Sequence, residues 1–133
     1  MTIRPSVTWR ANVEEQAREL AAGTRAPEDA FLAELFPESL LVATENALLA
    51  FESEARGLGG QDDERVFGAV RRVVLVLNGI NDEHGGAGYE TVEREDLCLY
   101  IEQTLTEHGV DVPALAARRG ISPTEITDDW RDW

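Results

Sequence analysis

The middle of the chain carries a run of apolar residues whose spacing constrains the fold more than any other feature. Within 66–80 these residues recur every three or four positions: Val66, Phe67, Val70, Val73, Val74, Leu77 and Ile80. This is the period of one helix face, and Asp62 and Asp63 are typical of the N-terminus that would precede it. The β-branched residues would also suit a buried strand, but four continuous turns of the stripe favour a helix. Leu75 and Val76 extend the apolar surface almost all the way round the predicted helix, which predicts a central helix covered by its neighbours.

The same periodicity predicts helices on both sides of this segment. We expect them over 12–22, 27–36, 38–58, 62–84, 91–108 and 111–119, with a last short helix after Ser122. Glycine or proline separates most of these segments, as expected for short connections. The predicted fold class is therefore all-α. It is a single-domain helical bundle (1–133) of about six to seven helices around the central apolar helix at 66–81, with residues 1–10 as an irregular N-terminal arm.

Spacing also predicts which faces are buried. Glu38, Glu45 and Glu52 recur every seven residues and are expected along one outer face of the helix 38–58. Thr91 is expected to cap the helix 91–108, and a Ser122 to Glu125 capping box is expected to open the last helix. The predicted buried positions of two helices are as follows: Phe31, Leu32, Leu35 and Phe36 in 27–36, and Val92, Leu97, Cys98, Ile101 and Leu105 in 91–108, with Leu99 and Tyr100 on its flank. The last helix is expected to carry Ile126, Trp130 and Trp133.

Composition excludes several classes of function. The 12 basic residues are all Arg, so the chain lacks the Lys that a P-loop or a Schiff-base enzyme requires. A single Cys excludes an internal disulfide and a zinc site with several cysteines. The sequence shows no apolar run of membrane-spanning length and no signal-peptide pattern, so we expect a cytoplasmic protein that does not enter a membrane.

The segment 115–126 resembles the helix-turn-helix of bacterial repressors. Ala116, Gly120 and Ile126 stand where that motif has a small residue, a turn glycine and an apolar residue. The helix that would enter the major groove, however, carries four acidic residues against Arg131: Glu125, Asp128, Asp129 and Asp132. Because DNA phosphates would repel these carboxylates, we predict no direct nucleic-acid binding.

Acidic residues dominate the chain, with 26 of them and a formal charge of -14. Such a field steers cationic partners. In size, charge and helicity the chain is similar to small acidic immunity or antitoxin-type proteins that neutralise a basic toxin. Our leading hypothesis is a non-catalytic protein that binds a basic protein partner and needs no cofactor.

The expected contact residues are Asp82, Glu83, Glu90, Glu93, Glu95 and Asp96, with Trp130 as an aromatic anchor. Two adjacent arginine pairs, Arg71-Arg72 and Arg118-Arg119, are expected in ion pairs with the carboxylates or in a dimer interface, so a homodimer stays open.

The alternative hypothesis is a carboxylate enzyme that uses magnesium or manganese. Glu90-x-x-Glu93 and Glu125-x-x-Asp128 resemble the acidic pairs with which all-α nucleotide pyrophosphohydrolases bind magnesium. This resemblance implies a phosphohydrolase with Glu90, Glu93 and Asp82 as metal ligands. Nucleophilic catalysis is not expected, because Cys98 and His108 are predicted about 15 Å apart on one helix.

Overall fold

A computed structural model describes residues 2–133, which form α-helices and no strand. The helices are α1 (Pro5–Ala22), α2 (Leu32–Leu35), α3 (Glu38–Ala55), α4 (Asp63–Glu83), α5 (Thr91–Glu107) and α6 (Val112–Arg118). Single 3₁₀ turns lie at Pro27–Asp29 and Pro123–Glu125. The predicted all-α fold class is confirmed.

The most extensive helix pair is formed by α3 and α4, and much of the core lies along it. Asp62 caps α4 by accepting a hydrogen bond from the backbone N of Arg65 at 2.9 Å. The buried apolar residues of the pair are Leu40, Leu41, Ala47, Leu48, Phe51 and Ala55 on α3, and Val66, Phe67, Ala69, Val70, Val73, Val74, Leu77 and Ile80 on α4. These include every position of the predicted α4 stripe, so the helix interpretation of 66–80 is confirmed.

The prediction that α4 is covered all round is wrong. Leu75 and Val76 are 45% and 52% exposed. One flank of α4 packs on α3, and the C-terminal segment reaches the other flank, where Asn78 Nδ2 donates to the backbone O of Trp130 at 2.7 Å. The outermost face lies between these two contacts and stays exposed.

The irregular arm predicted for residues 1–10 is wrong for residues 5–10, which form the first turns of α1. Pro5 suits the first position of a helix because its fixed φ is helical and its missing N–H has no partner there anyway. Trp9 is 3% exposed and stacks on Phe36 with ring centroids 5.3 Å apart. Met1 lies outside the described residues.

The outer face predicted for the acidic residues of α3 is wrong for Glu45 and Glu52, which are covered where α1 packs, whereas Glu38 stays exposed. Arg4 Nε lies 2.5 Å from Glu45 Oε1, and its Nη1 lies 3.1 Å from Glu52 Oε2. Arg10 reaches Glu38 at 2.7 Å. The heptad spacing of the carboxylates therefore marks a docking site for a second helix.

Residues 27–36, predicted as one helix, divide into a 3₁₀ turn and the short α2. Ala30 separates them with φ −105° and ψ 85°, outside the helical region. As a result Phe31 and Leu35 are 52% and 49% exposed, contrary to the prediction, while Phe36 is buried.

The last helix predicted after Ser122 is a single 3₁₀ turn followed by further turns. The capping box is present, and Glu125 Oε1 accepts from the backbone N of Ser122 at 2.9 Å. Bonds between residues three apart, such as that from Asp128 N to Glu125 O, keep the segment from continuing as an α-helix. Ile126 is buried as expected, but the helix-turn-helix resemblance lacks its second helix.

Candidate interaction surface

The predicted acidic residues lie on two successive helix ends, the end of α4 and the beginning of α5. Asp82 and Glu83 are exposed in the last turn of α4, and Glu90 is the N-cap of α5. The loop between them folds back, because the backbone N of Tyr89 donates to Oδ1 of Asn81 at 2.9 Å. Both groups are buried, so this bond brings the two helix ends close together.

Three of the six predicted acidic residues have structural partners. Glu90 caps α5 in place of the predicted Thr91: its side chain accepts from the backbone N of Glu93, and Glu93 Oε1 accepts from the backbone N of Glu90 at 3.4 Å. Asp96 Oδ2 accepts from the indole Nε1 of Trp9 at 3.1 Å. Glu95 is exposed and makes no hydrogen bond or ion pair within residues 2–133. Of the four predicted carboxylates on α5 and its N-cap, Glu95 is therefore the one that faces solvent without a partner.

The outward side of α5 carries apolar and acidic residues in one stripe. Val92 is 63% exposed and Leu99 is 52% exposed, seven residues further along. Glu95 and Glu102 follow these two residues at the same three-residue spacing, so all four share a face. The prediction that Val92 belongs to the core is wrong. Tyr100, predicted on the flank, is instead buried. The exposure of Val92 was the part of this surface that sequence reasoning missed.

A groove borders this stripe on the side that faces the start of α1. Ile3 is 68% exposed and lines the groove together with Leu99, Asp96 and Tyr100. A second groove on the other side includes Cys98, which is half-buried and lies 3.5 Å from Thr127 Oγ1. The stripe is therefore a ridge between two grooves, a shape that a partner helix or strand can follow.

The phenol of Tyr100 lies beneath this surface and donates a hydrogen bond to Glu52. Burial raises the pKa of Tyr100, and the neighbouring Glu52 carboxylate raises it further. Burial also raises the pKa of Tyr89 to about 12, although its hydrogen bond with Thr44 partly lowers it. Both phenols are therefore neutral structural groups near neutral pH.

Trp130, the predicted aromatic anchor, is half-buried. Its ring packs on Phe67 with centroids 6.4 Å apart, and its backbone O accepts from Asn78. Trp133 packs edge-on against Tyr89 at 5.5 Å. In these contacts both rings hold the C-terminal segment against the bundle.

The carboxylates considered as metal ligands are not gathered. Among residues 2–133, no three His, Cys, Asp or Glu side chains lie together in a group that could hold a metal ion. Asp82, Glu90 and Glu93 thus form no such group. In the second acidic pair, Glu125 caps a turn and Asp128 pairs with Arg131 at 2.8 Å.

Both histidines are held by helix carbonyl groups. His84 Nδ1 lies 2.8 Å from Ile80 O, and its Nε2 lies 2.9 Å from Ser39 Oγ. His108 Nδ1 lies 2.8 Å from Thr104 O. These contacts give each imidazole a role at a helix C-terminus.

Within residues 2–133, no helix is both long enough and apolar enough to cross a membrane. Comparison with known protein families, curated proteins and solved structures finds no match to the chain. Its function is therefore argued from its own residues.

Proposed function

We propose that the protein is a non-catalytic acidic helical module that binds a basic protein partner through the outer face of α5. The observation that carries this proposal is the stripe formed by Val92, Glu95, Leu99 and Glu102. It combines exposed apolar side chains with carboxylates on one helix face. Apolar anchors surrounded by charge are typical of protein interfaces.

The spacing of the anchors suits an extended contact. Val92 and Leu99 are two helical turns apart, or about 10 Å along the helix axis. A partner that covers both would bury two aliphatic side chains, each worth roughly 1–2 kcal/mol at their present exposure. Glu95 lies between them, so a partner with Arg or Lys beside its apolar residues would complement the stripe.

The charge of the chain supports a basic partner. Ion pairs among residues 2–133 engage seven arginines: Arg4, Arg10, Arg18, Arg25, Arg72, Arg118 and Arg131. Their carboxylate partners lie elsewhere, so none of these ion pairs includes Glu95 or Glu102, although Arg94 and Arg131 line the same groove as these two carboxylates. A chain with a charge of -14 also accelerates its encounter with a cationic protein.

An inhibitor of a basic toxin is the specific form of function that we favour. Inhibitors of enzymes that act on nucleic acids often place carboxylates where phosphates would bind, and α5 presents carboxylates on a rigid helix. Solubility alone would explain an acidic surface. It does not explain why Val92 and Leu99 stand exposed among the acidic residues, because exposed apolar groups lower solubility.

The test uses a synthetic helical peptide with Arg and Leu on one face, titrated into the ¹⁵N-labelled protein. We expect amide shift changes to cluster in 91–103. Leu99→Asp or the pair Glu95→Gln and Glu102→Gln should each weaken binding about tenfold. The matched control is Glu14→Gln with Glu64→Gln, which removes the same charge from exposed sites on α1 and α4.

Two results would overturn this function. If the control pair weakens peptide binding equally, or if amide shift changes are scattered over the whole surface, the peptide responds to net charge alone. A melting temperature that rises steeply with Mg²⁺ or Mn²⁺, without peptide, would favour the phosphohydrolase alternative.

A further inference from the structure

A second exposed face, on α3 and α4, has a different chemistry. A groove on this face is lined by Ala43, Asn46 and Ala50 of α3 and by Leu75 and Val76 of α4. Between Glu45 and Glu52, both turned towards α1, the exposed positions of α3 carry no charge. The centre of this face is therefore uncharged in a chain of which 29% is charged.

The charges of α4 stand at the two ends of this centre and have opposite signs. Arg71 and Arg72 come before it, and Asp82 and Glu83 come after it. Within residues 2–133, no ion pair includes Arg71, Asp82 or Glu83. Carboxylates in the last turn of a helix also oppose its dipole, so helix stability does not explain Asp82 and Glu83.

The two charged ends are symmetric about position 77. Arg71 precedes that position by six residues and Arg72 by five, while Asp82 follows by five and Glu83 by six. If two copies of α4 pack antiparallel across a two-fold axis at this position, Arg71 of each copy lies opposite the carboxylate pair of the second copy, while Arg72 stays paired with Glu54 of its own chain. The face is thus complementary in charge to itself, as an isologous interface requires.

Gly79 fits the same arrangement. It is exposed inside α4, where glycine lowers helix stability, and a Cβ there would meet no atom of its own chain within 4 Å. Packing within the monomer therefore does not require a glycine. In the antiparallel arrangement Leu75 of one copy lies opposite Gly79 of the other, because both are two residues from position 77. A glycine at this point lets the two helices approach closely.

We infer that the outer face of α3 and α4 is the interface of a homodimer in which two antiparallel α4 helices cross near Leu77. A basic partner would find no charge complementarity in the uncharged centre, whereas a second copy matches both ends. Two helix pairs stacked in this way form a four-helix arrangement. Between Arg72 and Glu83 the face is about 16 Å long along the helix axis. A face of this length buries an area at the small end of stable interfaces, so we expect a dimer that dissociates in the micromolar range.

Sedimentation velocity from about 5 to about 500 µM tests this inference, because dimers of such size dissociate within that range. The mass should rise from 14.7 kDa towards twice that value. Arg71→Asp and Asp82→Arg alone should each weaken the dimer about tenfold, and the double variant should restore it. The single variants have formal charges of -16 and -12, and the double variant keeps the -14 of the natural chain.

The charge series separates a specific interface from general repulsion. If repulsion alone set the association, Asp82→Arg would dimerise best of the four proteins, and that result would overturn the inference. So would a natural chain that stays monomeric over the whole concentration range. Circular dichroism of each variant confirms that the fold is kept.

A second series tests the packing. Gly79→Leu should keep the helical fold but abolish the dimer, because its side chain fills the space of Leu75 from the other copy. Leu99→Asp on α5 is the matched control and should leave the dimer intact. Since the Leu99 variant removes partner binding under the proposed function and the Gly79 variant does not, failure of one proposal is distinguishable from failure of the other.

Discussion

Two helices pack on α3 from different sides, and they are held by different forces. The contact of α4 is apolar, with Val70, Val74 and Leu77 fully buried. The contact of α1 places one tryptophan, Trp9, in the core and surrounds it with ion pairs from Arg4 and Arg10 to three carboxylates of α3: Glu38, Glu45 and Glu52. One side of the bundle therefore depends on burial, and the other depends largely on charge.

This difference predicts how each contact responds to solution conditions. Apolar burial is non-directional and nearly independent of pH and salt. Ion pairs between half-exposed groups are screened by salt, and hydrogen bonds of buried phenols are lost when the phenol ionises. We therefore expect α1 to be the part of the bundle that opens first.

The largest effect should come from breaking the apolar contact. Val74→Asp should unfold the domain, because a carboxylate would be buried without a partner at a position with no exposed surface. Val76→Asp, two residues away on the exposed face, should keep the helical fold while weakening the dimer. Circular dichroism melting curves of the two variants measure this contrast. If Val74→Asp melts like the natural chain, the α3–α4 core is misplaced.

A smaller effect should appear at alkaline pH, on the α1 side. The two tyrosines of the chain contact this region, since Tyr89 packs against Trp9 and Tyr100 bonds Glu52. Their folded-state pKa values are raised above the unfolded value near 10, that of Tyr89 to about 12. Their contribution to stability is therefore complete below pH 10 and is lost as pH rises through 10 towards 12. The loss from Tyr89 should be roughly 2 kcal/mol.

Urea unfolding between pH 8 and 11.5, with tyrosinate absorbance followed in parallel, measures this loss. The chain has no Lys to titrate in the same range, and the tyrosinate absorbance assigns the transition to the phenols. Tyr89→Phe should reduce the pH dependence. An equal loss of stability in Tyr89→Phe and the natural chain would show that another group causes it.

The sequence predicted the α3–α4 pair well because the signal there is local. A buried stripe repeats every three or four residues, and Asp62 marks its start whatever the helix packs against. The errors came where tertiary contacts decide. The spacing of Glu38, Glu45 and Glu52 is visible in the sequence, but the arginines that pair with them lie 28 to 48 residues away along the chain.

The same limit applies to the candidate surfaces. The acidic character of 82–96 is plain from composition, and the structure places Glu95 on an open face. Val92 is exposed, while Asp96, one helical turn further along α5, binds Trp9 of α1. This difference depends on the position of α1 and cannot be derived from helical period alone. Likewise the sequence shows that Ser122 and Glu125 can form a capping box. It does not show that the chain continues from there as turns, because this depends on the contacts of Trp130 with α4.

The smallest effect should come from a single arginine at the N-cap of α1. Arg4 bonds Glu45 and Glu52 across the helix interface, and these side chains are 27%, 25% and 14% exposed. Arg4→Met should cost about 1–2 kcal/mol at low salt, because it leaves two partly buried carboxylates uncompensated. At about 1 M NaCl the cost should fall, since screening weakens the ion pairs in the natural chain.

Arg18→Met is the matched control. It removes the same charge but breaks only an exposed pair with Glu15, so it should cost less than Arg4→Met at low salt and change little with salt. Urea unfolding of both variants at the two salt concentrations gives the comparison. Equal losses for the two arginines would mean that α1 is held by Trp9 alone and that its charges, like those of a solvated helix, contribute nothing to docking.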